Sequence, residues 1–363
     1  MRGVKSRHHL TLLMLLFLLW MMLPACTRFG PKRVPGDRFN YNEAISKSQK
    51  EQMLLNLVRL RYRDIPEFLS VSSVLTQYTY SGSVGTQGAA VLGEPGALAS
   101  NVGGSANIGY TERPTITYTP LAGSEFSRRM LTPIPTEMMF AASQGGWATD
   151  LMMLIALQRM NKVENSSFSP VPSSDDTDRI REFCRLLEIS KELGDRGAME
   201  VYRDSEETPA MRYIVIEKEL DEDTQALADE LRSMLDLDPG LNVFQMTDRL
   251  TQRAPNEITV QPRSLMGVMS FLSRGVEVPE AHREKGWVVD MGSWEDLVPF
   301  RIRSSKEKPD DVFVTVRYHD HWFYIDLADH ESKRAFGLLI YIFELQAPAT
   351  TAAAPILTLP TGP

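Results

Sequence analysis

The stretch "QYTYSGSVGTQG", residues 77–88, holds too many glycines for an ordinary core strand, yet its apolar and polar residues alternate too regularly for a loop. Its even positions are Tyr78, Tyr80, Gly82, Val84 and Thr86, and its odd positions are small and polar. The pattern returns in "NVGGSANIGYTE", residues 101–112, where Val102, Gly104, Ala106, Ile108 and Tyr110 take the apolar register. Two such runs joined by "AAVLGEPGALAS" describe an amphipathic β-hairpin, because successive strand residues point to opposite faces. Each arm is about 12 residues long, against the 9–11 that a tilted transmembrane strand needs. Tyr78, Tyr80, Val84, Val102, Ile108 and Tyr110 form the face that meets either a protein core or a bilayer. One hairpin cannot close a barrel, and open edges are forbidden in lipid, so the membrane alternative requires a ring of copies. "TITYTP", residues 115–120, also alternates and reads as a third strand or as a continuation of the hairpin.

Outward from the hairpin, the pattern mixes helices and strands. "NEAISKSQKEQMLLNLVRLRYRDIP" predicts a helix capped by Asn42, with Leu54, Leu57, Val58 and Arg61 on one side and Pro66 beyond its end. Arg59, Arg61 and Arg63 read as its solvated side, over buried Leu57 and Leu60. "TEMMFAASQGGWATDLMMLIALQRM" reads as two short soluble helices joined at Gly145 and Gly146, since Asp150 and the glycines are costly at a bilayer centre. Further helices are expected near 177–193, 221–235, 262–274 and 330–345. "AMEVYRD", "MRYIVIEK", "VFVTVRYHD" and "HWFYIDL" read as strands, the last two forming a hairpin with a tight turn near Asp320. The fold class expected is α+β, helices with antiparallel β hairpins, in two domains.

The expected division is a signal peptide over 1–25, a lipidated first domain over 26–165, a linker over 166–176, an α+β domain over 177–345 and a Pro/Ala/Thr-rich tail over 346–363. The linker falls in "NSSFSPVPSSDDTD", which lacks apolar periodicity. At the start of the chain, Arg2, Lys5 and Arg7 precede a 14-residue apolar run, Leu10–Leu23, which is a secretion signal's layout and too short for a permanent anchor. Leu23, Pro24, Ala25 and Cys26 resemble the lipobox of bacterial lipoproteins, in which the cysteine thiol receives a diacylglyceryl group and the chain is cut just before it. The resemblance implies Cys26 as the lipid attachment residue and, with Thr27 in place of aspartate after it, an outer-membrane anchor facing the periplasm. "EQMLLNLVRLRYRDIPEFLSVSSV", "YTERPTITYTPLAG" and "RSLMGVMSFLSRGVEVP" resemble stretches of uncharacterised Gram-negative envelope lipoproteins, a resemblance that brings no activity with it.

Cleavage before Cys26 removes three basic and no acidic residues from the 39 Lys plus Arg and 47 Asp plus Glu, leaving 36 against 47 and a net charge of −11. An acidic body is ill suited to nucleic acid, whose binding rests on neutralised phosphates. With Cys26 acylated, Cys184 is the remaining thiol; it lies on the apolar side of a predicted helix and reads as buried and inert.

"YHDHWFY" sets His319 and His321 two apart on a strand, with Asp326, Asp329 and His330 downstream. Two ligands fall short of the three or four a metal needs, so neither a metal nor another cofactor is expected, and a metal-dependent hydrolase here is the weakest alternative. His282 in "PEAHREKGW" reads as a surface residue, and the eighteen methionines as core filler. The sequence has no G-x-S-x-G, P-loop, G-x-G-x-x-G or H-E-x-x-H motif. The function expected is an outer-membrane-anchored periplasmic lipoprotein, a non-enzymatic scaffold or assembly partner in an envelope complex. Its expected partners are membrane lipid through Cys26, other envelope proteins and further copies of itself. The alternative is an oligomeric β-barrel export component that inserts the 77–112 hairpin.

Overall fold

The structure, a computed structural model, describes residues 29–88, 102–166, 175–204, 211–289 and 298–346. Cys26, the signal peptide expected over 1–25 and the expected tail from residue 347 onward lie outside these residues. The chain divides into two compact units, and the described residues 67–126 form one while 29–66 and 127–346 form the other.

The smaller unit is the hairpin. Strands β1 (Leu69–Gly88) and β2 (Val102–Pro120) form a two-stranded antiparallel sheet, 20 and 19 residues long. Both arms are longer than expected: "TITYTP" continues β2 instead of forming a third strand, and β1 begins at Leu69, ahead of the alternating run. Pro114 sits opposite Thr76 within the ladder. Proline is found on edge strands, and among the described residues no third strand joins β1 or β2. A bulge between Val71 and Ser73 sets Ser72 outside the register, and its hydroxyl donates to the Thr117 carbonyl at 3.2 Å. Phe68 and Phe126, just outside the strands, meet edge to face with centroids 5.5 Å apart.

The larger unit is α+β. Its helices are α1 (Phe29–Arg61), α2 (Ser124–Leu131, shared with the smaller unit), α3 (Thr136–Gln144), α4 (Thr149–Ala156), α5 (Asp175–Asp195), α6 (Glu222–Met234), α7 (Leu265–Ser273), α8 (Glu280–Glu284) and α9 (His330–Gln346). One six-stranded sheet has the order β4-β3-β8-β7-β6-β5, made of β3 (Leu157–Met160), β4 (Val163–Glu164), β5 (Met199–Asp204), β6 (Met211–Ile216), β7 (Val243–Thr247) and β8 (Glu257–Pro262). All its pairs are antiparallel except β7 with β8. A second sheet, β10-β11-β9, is built from β9 (Arg303–Ser305), β10 (Val312–Tyr318) and β11 (His321–Asp326).

The boundary expected at 166–176 does not separate two bodies. Strands β3 and β4 precede that segment and β5–β8 follow it, yet all six share one sheet, and Arg179 beyond it pairs with Glu164 before it at 2.5 Å. A serine- and proline-rich composition marks a solvated connection whether it joins domains or elements of one core.

Helix α1 runs through Asn42 from Phe29, the first described residue, so Asn42 lies inside it rather than capping it. The turns around Asn42 are largely exposed, and apolar periodicity therefore gives no sign that the helix continues ahead of it. Leu54, Leu57 and Val58 are fully buried, and this end of α1 packs on β10 and α7. The helix stops at Arg61, where Arg63 takes a left-handed φ of 63°. The Gly-Gly joint falls between α3 and α4, with Gly146 at φ 92°. Helix α7, capped by the Ser264 side chain accepting from the Gly267 amide, buries seven of its nine residues.

A buried cation closes α4. Arg263 is 4% exposed, and one of its guanidinium nitrogens donates to the carbonyls of Leu154, Ile155 and Leu157, the other to Asn165 and to the Ser166 hydroxyl. The last carbonyls of a helix lack intrahelical donors and carry partial negative charge, so a guanidinium satisfies both needs at once. Burial draws the Arg263 pKa down to about 9, with Arg274 adding in the same direction, and the group remains cationic at neutral pH.

Candidate functional site

The register of the hairpin settles how the two alternating runs meet. Tyr80 lies opposite Tyr110, Gly82 opposite Ile108, Val84 opposite Ala106 and Gly88 opposite Val102, while Tyr78 lies opposite Glu112. Even positions therefore face even positions throughout this part of the ladder, and strand alternation sets the two apolar runs on one face of the sheet. The side-chain surroundings of Tyr78, Tyr80, Val84, Val102, Ile108 and Tyr110 lie outside the described residues. Nearer the strand ends, Leu75, Ile116 and Tyr118 are 56%, 41% and 57% exposed. Among the described residues no third strand joins β1 or β2. A lone two-stranded hairpin is marginal in water, and its open edges are templates for further pairing.

In the larger unit three of the histidines named from the sequence, His282, His319 and His321, converge. His282, expected at the surface, is 2% exposed and therefore belongs to the core. Its Nδ1 lies 2.6 Å from the Tyr62 hydroxyl, its ring packs against Trp287 at 4.8 Å between centroids, and His321 meets it edge to face at 4.6 Å. His319 is 6.4 Å from His282, 5.1 Å from Trp287 and 5.7 Å from Tyr62. Its place differs from that expected. Tyr318 pairs with His321, and the two-residue turn is His319–Asp320 with φ of 42° and 63°. Both central residues are left-handed, the backbone of a type I′ hairpin turn, so His319 belongs to the turn and not to a strand face.

Each element delivers a side chain to this cluster for a local reason. The end of α1 supplies Tyr62, which also meets Tyr318 and Phe323 edge to face at 5.3 and 6.1 Å. Arg61, taken as solvated by its triplet pattern but only 9% exposed, donates from Nη1 to the Val289 carbonyl at 3.0 Å, beyond Trp287. The Tyr318 hydroxyl donates to Asp64. Burial pushes the Tyr62 phenol up to about 12, partly opposed by Arg61. Burial also lowers the His282 pKa, with His321, His319 and Lys285 acting in the same direction and a hydrogen bond to the His319 backbone opposing. A protonated phenol beside a neutral imidazole makes Tyr62 the donor and Nδ1 the acceptor, which puts the His282 proton on Nε2.

The downstream acids do not join the histidines. Asp326 accepts from the Ala328 amide at 2.9 Å, and Asp329 caps α9 through the Ser332 amide at 3.0 Å and its hydroxyl at 2.7 Å. Among the described residues no three of His, Cys, Asp and Glu are arranged to hold a metal ion. Cys184 on α5 is half-buried, and burial together with Glu188 raises its thiol pKa, which disfavours the reactive thiolate. Among the described residues no helix is long and apolar enough to cross a membrane. Neither a family model, nor a curated protein, nor a solved structure matches this chain.

Proposed function

We propose that this protein is an outer-membrane lipoprotein, anchored through Cys26 on the periplasmic side, that acts without catalysis as an assembly component of an envelope complex through its β1–β2 hairpin. The observation that carries this reading is the ladder itself: 19 cross-strand pairs with no third strand among the described residues, and Leu75, Ile116 and Tyr118 exposed along it. So long a two-stranded ribbon is not self-sufficient in water and calls for a further surface to pair with or pack on. The lipobox resemblance of Leu23–Cys26 supports the anchor, since acyl chains at about 0.8 kcal/mol per buried methylene hold a soluble body at a bilayer.

The test compares the native chain with one in which residues 70–119 are replaced by a short Gly-Ser linker and with a Cys26→Ser variant. The native protein fractionates with outer membranes inside a large complex on native gels. Loss of the hairpin leaves it in the membrane at low mass, and loss of Cys26 releases the body to the periplasm. An unchanged complex size without the hairpin contradicts the proposal.

Hairpin length favours a second reading. Arms of 20 and 19 residues are about twice the 9–11 that a tilted strand needs to cross a bilayer. Several copies, each giving two strands, can close a barrel and so abolish the open edges that lipid forbids. For the acylated chain in mild detergent, a heat-resistant particle several times the chain's mass supports the ring, and a monomer excludes it.

A further inference from the structure

The methionines are not spread evenly as filler. Of the fourteen that follow the signal segment, six (Met139, Met152, Met153, Met160, Met199 and Met246) line one open cavity of about 550 Å³. It lies within the larger unit, among α3, α4 and α5 and the strands of the six-stranded sheet. Protein interiors leave few voids larger than a water molecule, whereas small-molecule sites span about 300–1,000 Å³ and are mostly apolar. Thioether side chains are unbranched, polarisable and free to change rotamer, which suits an apolar ligand that is itself flexible. A flat aromatic ligand fits less well, because the one aromatic ring in the lining, Phe140, has the Arg212 guanidinium over its face at 4.7 Å.

Charged lining residues supply the polar end. Lys191 of α5 holds its ammonium 3.7 Å from the carboxylate of Asp150 at the start of α4, with both side chains partly exposed. This pair can exchange: a carboxylate arriving at the mouth takes the place of Asp150 on Lys191.

From the methionine lining and this ion pair we propose that the cavity binds a long-chain fatty acid, its acyl chain among the methionines and its carboxylate on Lys191. The proposal is independent of the anchor and of the hairpin, since every residue in it belongs to the larger unit.

The test uses the full chain with Cys26→Ser, purified without detergent so that the cavity is not filled beforehand, and the fluorescent fatty acid cis-parinarate as probe. Saturable one-to-one binding displaced by palmitate is expected. Met246→Trp, which fills the cavity, weakens binding at least tenfold. Val201→Trp, at the 48% exposed edge of the lining, does the same without a core change and serves if the first variant fails to fold. Asp150→Asn frees Lys191 and tightens palmitate several-fold while leaving hexadecanol unchanged, and Lys191→Gln weakens palmitate alone. Absence of saturable binding, or binding that survives both tryptophan variants, overturns the proposal. Equal effects of Asp150→Asn on palmitate and hexadecanol overturn the assignment of the carboxylate to Lys191.

Discussion

Tyr62 and His282, 220 positions apart in sequence, meet through a 2.6 Å hydrogen bond in the core of the larger unit. The bond ties the end of α1 to the short helix α8 and is sheltered by Trp287, Tyr318 and Phe323. Removing the phenol oxygen leaves a buried imidazole nitrogen without a donor, at a cost of about 1–3 kcal/mol. Tyr62→Phe is therefore expected to lower the urea midpoint with an unchanged m-value. In a double-mutant cycle with His282→Leu, the two losses are expected to be strongly non-additive, because both substitutions remove the same bond. Additive losses contradict the pairing.

The same pair sets a pH window. His282 has a folded pKa below its ordinary value of 6.5, so the unfolded chain binds the proton first as pH falls, and stability declines from about pH 6.5 downward. Tyr62 has a folded pKa near 12 against an ordinary 10.0, so the unfolded chain loses its proton first as pH rises, and stability declines above about pH 10. Urea midpoints measured from pH 5 to 11 are expected to be highest between these limits. His282→Leu flattens the acid side and Tyr62→Phe the alkaline side. A Tyr62→Phe variant with an unaltered alkaline slope contradicts the assignment.

Arg263 makes a third case. Arg263→Met preserves much of the apolar stem but strands the carbonyls of Leu154, Ile155 and Leu157 at the end of α4. Buried acceptors without donors make a loss of about 3 kcal/mol or more the expected result. In a unit of this size that is a fall of roughly 6–12 °C in midpoint by calorimetry. Arg263→Lys keeps the charge but not the fork of donors, and is expected to fall between the two. A methionine variant as stable as the parent contradicts the capping role.

How legible the molecule is from its sequence depends on whether the relevant contact is local. That the two apolar runs of the hairpin share one face follows from period-two alternation on both arms, and the helices expected near 221–235 and 262–274 are present as α6 and α7. The α+β class follows from these local signals together. The pairing of β3 with β8 spans about a hundred residues and leaves no local trace, so the Ser/Pro-rich segment between them looked like a boundary. His282 sits in a five-residue helix beside exposed Arg283, Glu284 and Lys285, and among the rings that meet it Tyr62, His319 and His321 come from parts of the chain too distant in sequence to leave a local sign. The gathering of six methionines on one cavity was equally out of reach, because they come from helices and strands far apart in the chain.

The anchor at Cys26 is the claim on which the envelope reading turns. Growth of cells expressing the native chain on labelled palmitate, followed by intact-mass analysis of its amino-terminal peptide, tests it directly. The account predicts label in the native protein, none in Cys26→Ser, and a peptide that begins at an acylated Cys26. An unlabelled protein whose first residue is an unmodified cysteine, or whose signal segment is cut elsewhere, contradicts it.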